Sequence, residues 1–513
     1  MAKKRIIIVG AGPGGLTAGM ILAKRGFDVE IFEKENVVGG RNAPIKRNGF
    51  TFDIGPTFLM MNFILEDVFE ETGRKAYDYL EFKKLEPMYR LHFGEKEFLP
   101  TTDHDKMIKE LERVFPGEVK GYERFMKEEG KRFEMMFPCL QKDYSYPSSL
   151  VRPVLLKALP YLALDKSLYR NLSRYFSHEL LRLSFTFQSK YLGMSAWECP
   201  AAFTIIPYVE HGFGIYHVQG GLNMISDAMA KVIEEEGGKI HLNSPVEKVI
   251  TKNRKAKGIE LKSGEKIEAD DVVLNADFSH AVQNLFDDGV IKKYTQGNLM
   301  KRKYSCSTFM MYLGLKKKYN IPHHNVFFAG DYKKNIDDIF KNKVLSKEMS
   351  FYVQNASITD STLAPEGKSA VYVLVPVPNL KGDIDWERQK YFVREKILKS
   401  MEEKAGMRDI RENIEEEIIY TPDTWQSGLN VFLGATFNLG HNIPQMLYFR
   451  PKNKFEEVDN VYLTGGGTHP GSGLPTIYES GRISANLICK KHKVPYKEPG
   501  PFKSKETVAG SGV

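Results

Sequence analysis

The sequence predicts an α/β fold: a parallel, doubly wound nucleotide-binding sheet assembled from separate stretches of chain, with an inserted α+β domain and a helical subregion. Three observations predict it. An apolar β-branched run, Ile6 to Val9, leads directly into glycines in the G-x-G-x-x-G order, the pattern of a strand buried on both faces, a tight turn and a helix. A second glycine-rich turn, Gly465 to Gly473, stands between a strand and a helix near the other end. At 513 residues the chain exceeds one ordinary core, and between its ends the strand–helix alternation is lost and regained twice.

The first element carries the most chemistry. Gly10, Gly12 and Gly15, with Gly14 among them, suit a tight turn, close backbone approach to a pyrophosphate and tight packing of helix on strand. Leu16, Met20, Ile21 and Ala23 recur at helical spacing up to Gly26, a C-terminal stop. A second strand, Val29 to Phe32, ends at Glu33, about twenty residues beyond the glycines, where the fold places the acid that accepts ribose hydroxyls. Lys34 follows it. The free N–H groups of the helix N-terminus supply an anion site for a diphosphate. Gly39, Gly40 and Arg41 add a second turn with a guanidinium able to reach the phosphates or a flavin edge. No second fingerprint follows downstream, so one tightly held FAD in a Rossmann-type domain is expected rather than two nucleotide sites.

Composition narrows the classes. Apolar and charged fractions are those of a globular protein. The net charge of +8 is modest for this length; it suits an anionic membrane surface and falls short of a nucleic-acid-binding balance. Cys139, Cys199, Cys306 and Cys489 are scattered without C-x-x-C spacing and read as reduced packing residues of a cytoplasmic protein. The apolar run after Lys3, Lys4 and Arg5 is too short for a signal peptide. No stretch approaches the roughly twenty apolar residues of a membrane-spanning helix, so contact with lipid would be peripheral.

Further along, Gly49 to Pro56 alternates into a Gly-Pro turn, a strand delivering a small-residue loop that includes Gly55 and Pro56. A helix is expected within 57–75. Residues 76–215 lose the alternation and read as a mostly helical insertion whose aromatic and methionine side chains either line an apolar cavity or fill a plain core. Within it, residues 147–192 interleave leucines with Arg152, Lys157, Lys166, Arg170, Arg174, Arg182 and Lys190. That pattern fits a bilayer interface and equally a helix pair packed on the domain. Ile205 to Gly221, holding Glu210, His211 and His217, reads as loop, strand and loop. A helix from Leu222 and short strands ending in Val272–Leu274 return to the nucleotide sheet. Residues 278–458 form a second excursion of antiparallel strands and helices, with Lys316–Lys318 and His323–His324 read as solvated turn and surface. The strand Asn460–Thr464, the glycine loop and a helix through about Ile488 close the fold. The expected division is 1–75, 216–277 and 459–492 for the FAD domain, 76–215 and 278–458 for the substrate region, and 493–513 for a flexible tail.

These stretches together resemble the bacterial and archaeal phytoene desaturase type of carotenoid desaturase within the amine-oxidase-like flavoproteins. The likeness rests on Val9 to Gly15, Glu33 with Gly39–Arg41, Phe52 to Pro56, Phe213 to Gly221, and the closing run from Gly465 to Pro475. It implies that Gly466, Gly467, Gly473, Leu474 and Pro475 belong to a flavin motif and that the backbone of Val246 meets the adenine. Related amine oxidases carry an acidic residue near Gly466 or Gly467; its absence favours the desaturase branch.

The resemblance implies dehydrogenation of carbon–carbon bonds in a C30 or C40 isoprenoid polyene, with hydride passing to the flavin and a proton to a base. Glu210, His211, His217 and His469 are the candidate acceptors, each with an alternative reading as a structural group. Polyene isomerisation and saturation use the same scaffold. An amine oxidase would need an aromatic cage, for which Trp425 and Tyr478 are candidates; a non-catalytic lipid-binding flavoprotein would hold FAD with no substrate access. Oxygen and a quinone both stand as electron acceptor, and no metal site is expected.

Overall fold

The computed structural model describes residues 3–499. Five strands from distant parts of the chain form one parallel sheet, in the order Val461–Leu463, Asp271–Leu274, Arg5–Val9, Asp28–Phe32 and Lys239–His241. The central strand is apolar at every inner position: Ile6, Ile7 and Ile8 are fully buried, as a strand covered on both faces requires. The helix Pro13–Lys24 packs between Met224–Glu235 and Leu474–His492. Contact with the last is close enough that a Cβ on Gly481 would stand 2.5 Å from the Gly14 carbonyl oxygen.

A seven-stranded sheet forms the second layer system, in the order Ile414–Tyr420, Ser307–Leu315, Ser369–Val377, Phe351–Asn355, His324–Phe327, Arg90–Phe93 and Lys96–Phe98. Its period-two alternation sorts side chains onto two faces. Phe309, Met311, Val371, Val373 and Val375 pack under the helix Trp386–Lys404. The intervening Thr308, Met310, Tyr372 and Leu374 face a large cavity between the sheets.

Several expectations need correction. Residues 76–215 are mostly helical but also carry Arg90–Phe93 and Lys96–Phe98, which extend the second sheet. Ile205–Phe213 is an α-helix rather than a loop; Pro207 falls in its first turn, where a missing N–H costs nothing. His323 and His324 are buried, not on the surface, because the strand His324–Phe327 lies inside the sheet. The chain past 492 does not leave the domain at once: Val494 and Tyr496 pack against the nucleotide-domain core, and Arg25 lies over the Tyr496 ring. The rest of the expected tail, 500–513, lies outside the described residues.

The leucine-rich stretch divides. Leu155, Leu168, Leu172 and Leu181 are buried, whereas Val151, Leu156, Leu159 and Leu164 are 67, 49, 47 and 53% exposed. Among the described residues no helix is long and apolar enough to cross a membrane.

Candidate active site

One cavity of about 840 Å³ runs between the two sheets. Its wall begins at the carboxyl ends of the parallel strands, where open α/β sheets bind ligands, and includes Gly10, Gly12, Gly14, Glu33, Lys34 and Val246. Gly10 has φ +96°, and a Cβ there would stand 2.9 Å from the Asn275 carbonyl oxygen. A Cβ on Gly12 or Gly14 would meet the Asn275 side chain at 2.9 or 2.8 Å. Asn275 thus determines why this turn must be glycine: its Nδ2 donates to the Gly10 carbonyl at 3.1 Å and its Oδ1 accepts from Thr464 Oγ1 at 3.0 Å. Gly15 is off the wall; its Cβ would lie 2.4 Å from the Gly10 oxygen, the close helix–strand packing expected of the third glycine.

Glu33 is buried, and its two oxygens accept from the Ala11 N–H at 2.7 Å and the Glu35 N–H at 3.0 Å. Burial pushes its pKa up and these backbone donors oppose the rise. Each oxygen keeps lone-pair capacity for a ribose hydroxyl. The Lys34 ammonium donates to the Gly428 carbonyl at 2.7 Å, closing the rim. Arg41 donates to the Thr436 carbonyl at 2.7 Å and the Asn438 amide oxygen at 3.2 Å, with Asp277 at 3.9 Å. Burial lowers the Arg41 pKa and raises that of Asp277, and their mutual attraction opposes both shifts.

Two helix N-termini belong to this region. Neither Gly12, before Pro13–Lys24, nor Gly473, before Leu474–His492, offers a side-chain cap, so their first N–H groups are left for a ligand. Gly40, Gly55, Pro56, Gly466, Leu474 and Pro475 also line the wall; a Cβ on Gly55 would stand 2.6 Å from the Arg41 carbonyl oxygen. Gly467 does not line it, and a Cβ there would press on Phe278 at 2.7 Å, so its role is packing. An acid for ribose, uncapped N-termini for a diphosphate and flat glycine-proline loops fit FAD along this wall. Glu33, Arg41 and these backbone groups are the ones that would hold FAD here.

Past the glycines the wall becomes apolar and aromatic, with Phe187, Met310, Tyr352, Tyr372, Leu374 and Trp425. The phenol of Tyr372 donates to the Gly55 carbonyl at 2.8 Å, and Tyr352 shares hydrogen bonds with Thr57 Oγ1 at 2.9 Å and His324 Nδ1 at 2.7 Å. Trp425 donates its indole N–H to the Thr308 carbonyl at 3.0 Å. Tyr478 lies in the nucleotide-domain core, so the two-ring amine cage is not assembled.

None of the four candidate bases reaches this wall. Glu210 is fully buried in a polar nest and accepts from Tyr89 at 3.0 Å and Gln188 at 2.7 Å. His211 stacks on Phe185 at 4.8 Å beside Tyr122, and burial pushes its pKa down to about 3. His217 bonds Asp360 at 2.9 Å behind the sheet. His469 sits edge-on to Tyr144, held neutral at about 3 by burial and by the Arg450 guanidinium. Sequence reasoning missed Tyr352, Tyr372 and Lys190 on the wall; alternation along Ser369–Val377 held the signal for Tyr372, and nothing local held it for Lys190.

Fold and wall together define a flavin-dependent oxidoreductase. Residues 13–489 match the family described as flavin containing amine oxidoreductase, and the chain belongs to that family, in its carotenoid desaturase branch. It is 56% identical to a 4,4'-diapophytoene desaturase (4,4'-diapolycopene-forming) from a Methylomonas species, over 96% of this chain and 97% of the relative. It is 39% identical to a zeta-carotene-forming phytoene desaturase of Myxococcus xanthus, over 95% of this chain and 93% of the relative. Among solved structures, an oxidoreductase from Methanosarcina mazei superposes with a TM-score of 0.61 at 17% identity, covering 95% of this chain and all of that one. A putrescine oxidase double mutant does so with a TM-score of 0.61 at 15% identity, covering 96% and 99%; both share the fold.

Proposed function

We propose that this chain is an FAD-dependent desaturase that introduces carbon–carbon double bonds into a C30 isoprenoid polyene of the 4,4'-diapophytoene type. The observation that carries the reading is one continuous cavity joining the glycine cradle to an apolar, aromatic wall, with no aromatic cage for an amine nitrogen built from Trp425 and Tyr478. The 56% identity to a diapophytoene desaturase favours the C30 chain over C40. Bound FAD supplies the hydride acceptor. The protein's own part is to hold a flexible hydrocarbon against that acceptor, exclude water from it and accept a proton. Tyr372 and Met310 bound the substrate from the second sheet, while Gly55 and Pro56 allow it to approach without a side chain in the way.

The substrate enters from a membrane surface in this reading. Val151, Leu156, Leu159 and Leu164 are exposed beside Arg152, Lys157 and Lys166, apolar groups to enter an interface and cations to meet anionic headgroups. Electrons leave to oxygen or a membrane quinone. The test is incubation of the holoprotein with 4,4'-diapophytoene or phytoene in liposomes, reading product absorbance: a red-shifted polyene from the C30 substrate supports the assignment, and preference for C40 would refute the chain length.

A further inference from the structure

Dehydrogenation removes two hydrogens with different electron counts, and the proton acceptor is unassigned once the four buried candidates are seen to lie off the wall. We propose that Lys190 is the catalytic base of this site, its neutral amine taking the proton from the carbon next to the one that loses hydride. The inference rests on the desaturase reading above.

Lys190 lies within a short helical turn, Phe187–Leu192, in the leucine-rich stretch, and it lines the cavity with Phe187, Cys306 and Thr308. It is partly exposed because it faces that internal space. Among the described residues no carboxylate lies within ion-pair distance of its amine, which stands 4.8 Å from the centre of the Tyr332 ring. The groups facing it are Tyr332 and Cys306, with Lys343 beyond the thiol. Burial raises the Tyr332 pKa and pushes Cys306 up to about 12, so neither supplies an anion near neutral pH. A cation enclosed in this way is costly, and burial lowers the Lys190 pKa to about 8. At the nucleotide end of the wall, Glu33 accepts from backbone N–H groups and Arg41 donates to carbonyls beside Asp277.

The balance closes. One C–H bond breaks with its electron pair, which leaves as hydride to the oxidised flavin. The adjacent C–H bond breaks with its proton going to the Lys190 nitrogen lone pair, and its electrons form the new C=C bond. The resulting ammonium lies over the Tyr332 ring face, where a cation is stabilised, and returns its proton to water after product leaves. A Lys190 that is already charged has no lone pair and repels the developing allylic cation. Charge at this position is therefore harmful, the opposite of what a structural cation would show.

The test compares wild type with K190M and K190R as FAD-loaded proteins, following anaerobic flavin reduction by 4,4'-diapophytoene in a single turnover. Wild type reduction is expected to rise with pH through a midpoint near 8; K190M is expected to lose roughly 10²-fold or more and K190R to be slower still, with flavin content unchanged. Independently of catalysis, trace acetylation read by mass spectrometry is expected to give Lys190 a reactivity midpoint near 8, against about 10.4 for an ordinary lysine. An ordinary labelling midpoint overturns the proposal whatever the desaturation assay gives. Equal flavin reduction by wild type and K190M, or rescue by Arg, also overturns it while leaving the desaturase reading intact.

Discussion

Replacing Glu33 by Gln tests the cofactor cradle at the atom where its geometry is tightest. Both carboxylate oxygens already accept backbone N–H groups, from Ala11 at 2.7 Å and Glu35 at 3.0 Å. Glutamine keeps one acceptor oxygen and turns an NH2 group toward the other N–H, so one charge-assisted bond is lost and two donors face each other. Both backbone bonds form without the cofactor, so their change acts on the apoprotein as well; what FAD binding loses is the charged acceptor for a ribose hydroxyl, about 1.5–3 kcal/mol, or roughly 10- to 160-fold in Kd. Titration of FAD into apoprotein, read by quenching of flavin fluorescence, measures it, with circular dichroism of the apoprotein as the folding control. A Kd for E33Q within about threefold of wild type would refute the assignment of this carboxylate to the ribose, since it is smaller than the loss of a single such bond.

Gly481→Ala is expected to destabilise the protein by roughly 1–3 kcal/mol through overpacking, because its Cβ would meet the Gly14 oxygen at 2.5 Å and the Thr17 Cβ at 2.7 Å; urea unfolding checks it. His211 is held neutral by burial with its pKa lowered to about 3. Its folded value lies below the unfolded one of about 6.5, so its contribution is full above that pH and is lost as pH falls towards the folded value. His211→Phe is therefore expected to flatten the dependence of unfolding free energy on pH between about 6 and 4, by up to about 1.4 kcal/mol per pH unit. Leu156→Glu with Leu159→Glu, both about half exposed, is expected to weaken binding to anionic liposomes by roughly 10- to 100-fold without changing FAD content, as sedimentation would show.

The parts legible in the sequence are those whose physics is local. Gly10 to Gly15 and the strand before them are set by neighbours a few residues away, and Glu33 follows at a fixed distance along the same βαβ unit. The parallel pairing of Asp271–Leu274 with Arg5–Val9 is long-range, yet a fully apolar run reads as buried on both faces wherever it lies. Ile205–Phe213 misleads because Pro207 and Gly212 look like breakers, and only its packing shows that the first turn tolerates Pro207. His217 meets Asp360 across more than a hundred residues, and no spacing rule announces that partnership. Lys190 is one of many basic residues in its stretch; whether it faces solvent, lipid or the internal cavity is decided by how Phe187–Leu192 docks on the second sheet.

The central claim is that a polyene bound between the two sheets delivers hydride to a flavin held by the glycine cradle and a proton to the protein. Anaerobic mixing of the holoprotein with 4,4'-diapophytoene in liposomes, recording oxidised-flavin absorbance and the polyene spectrum together, tests it most directly. Bleaching is expected, with one new double bond formed for each flavin reduced. A delivered substrate that leaves the flavin oxidised, or that changes double-bond geometry without net loss of hydrogen, would contradict it.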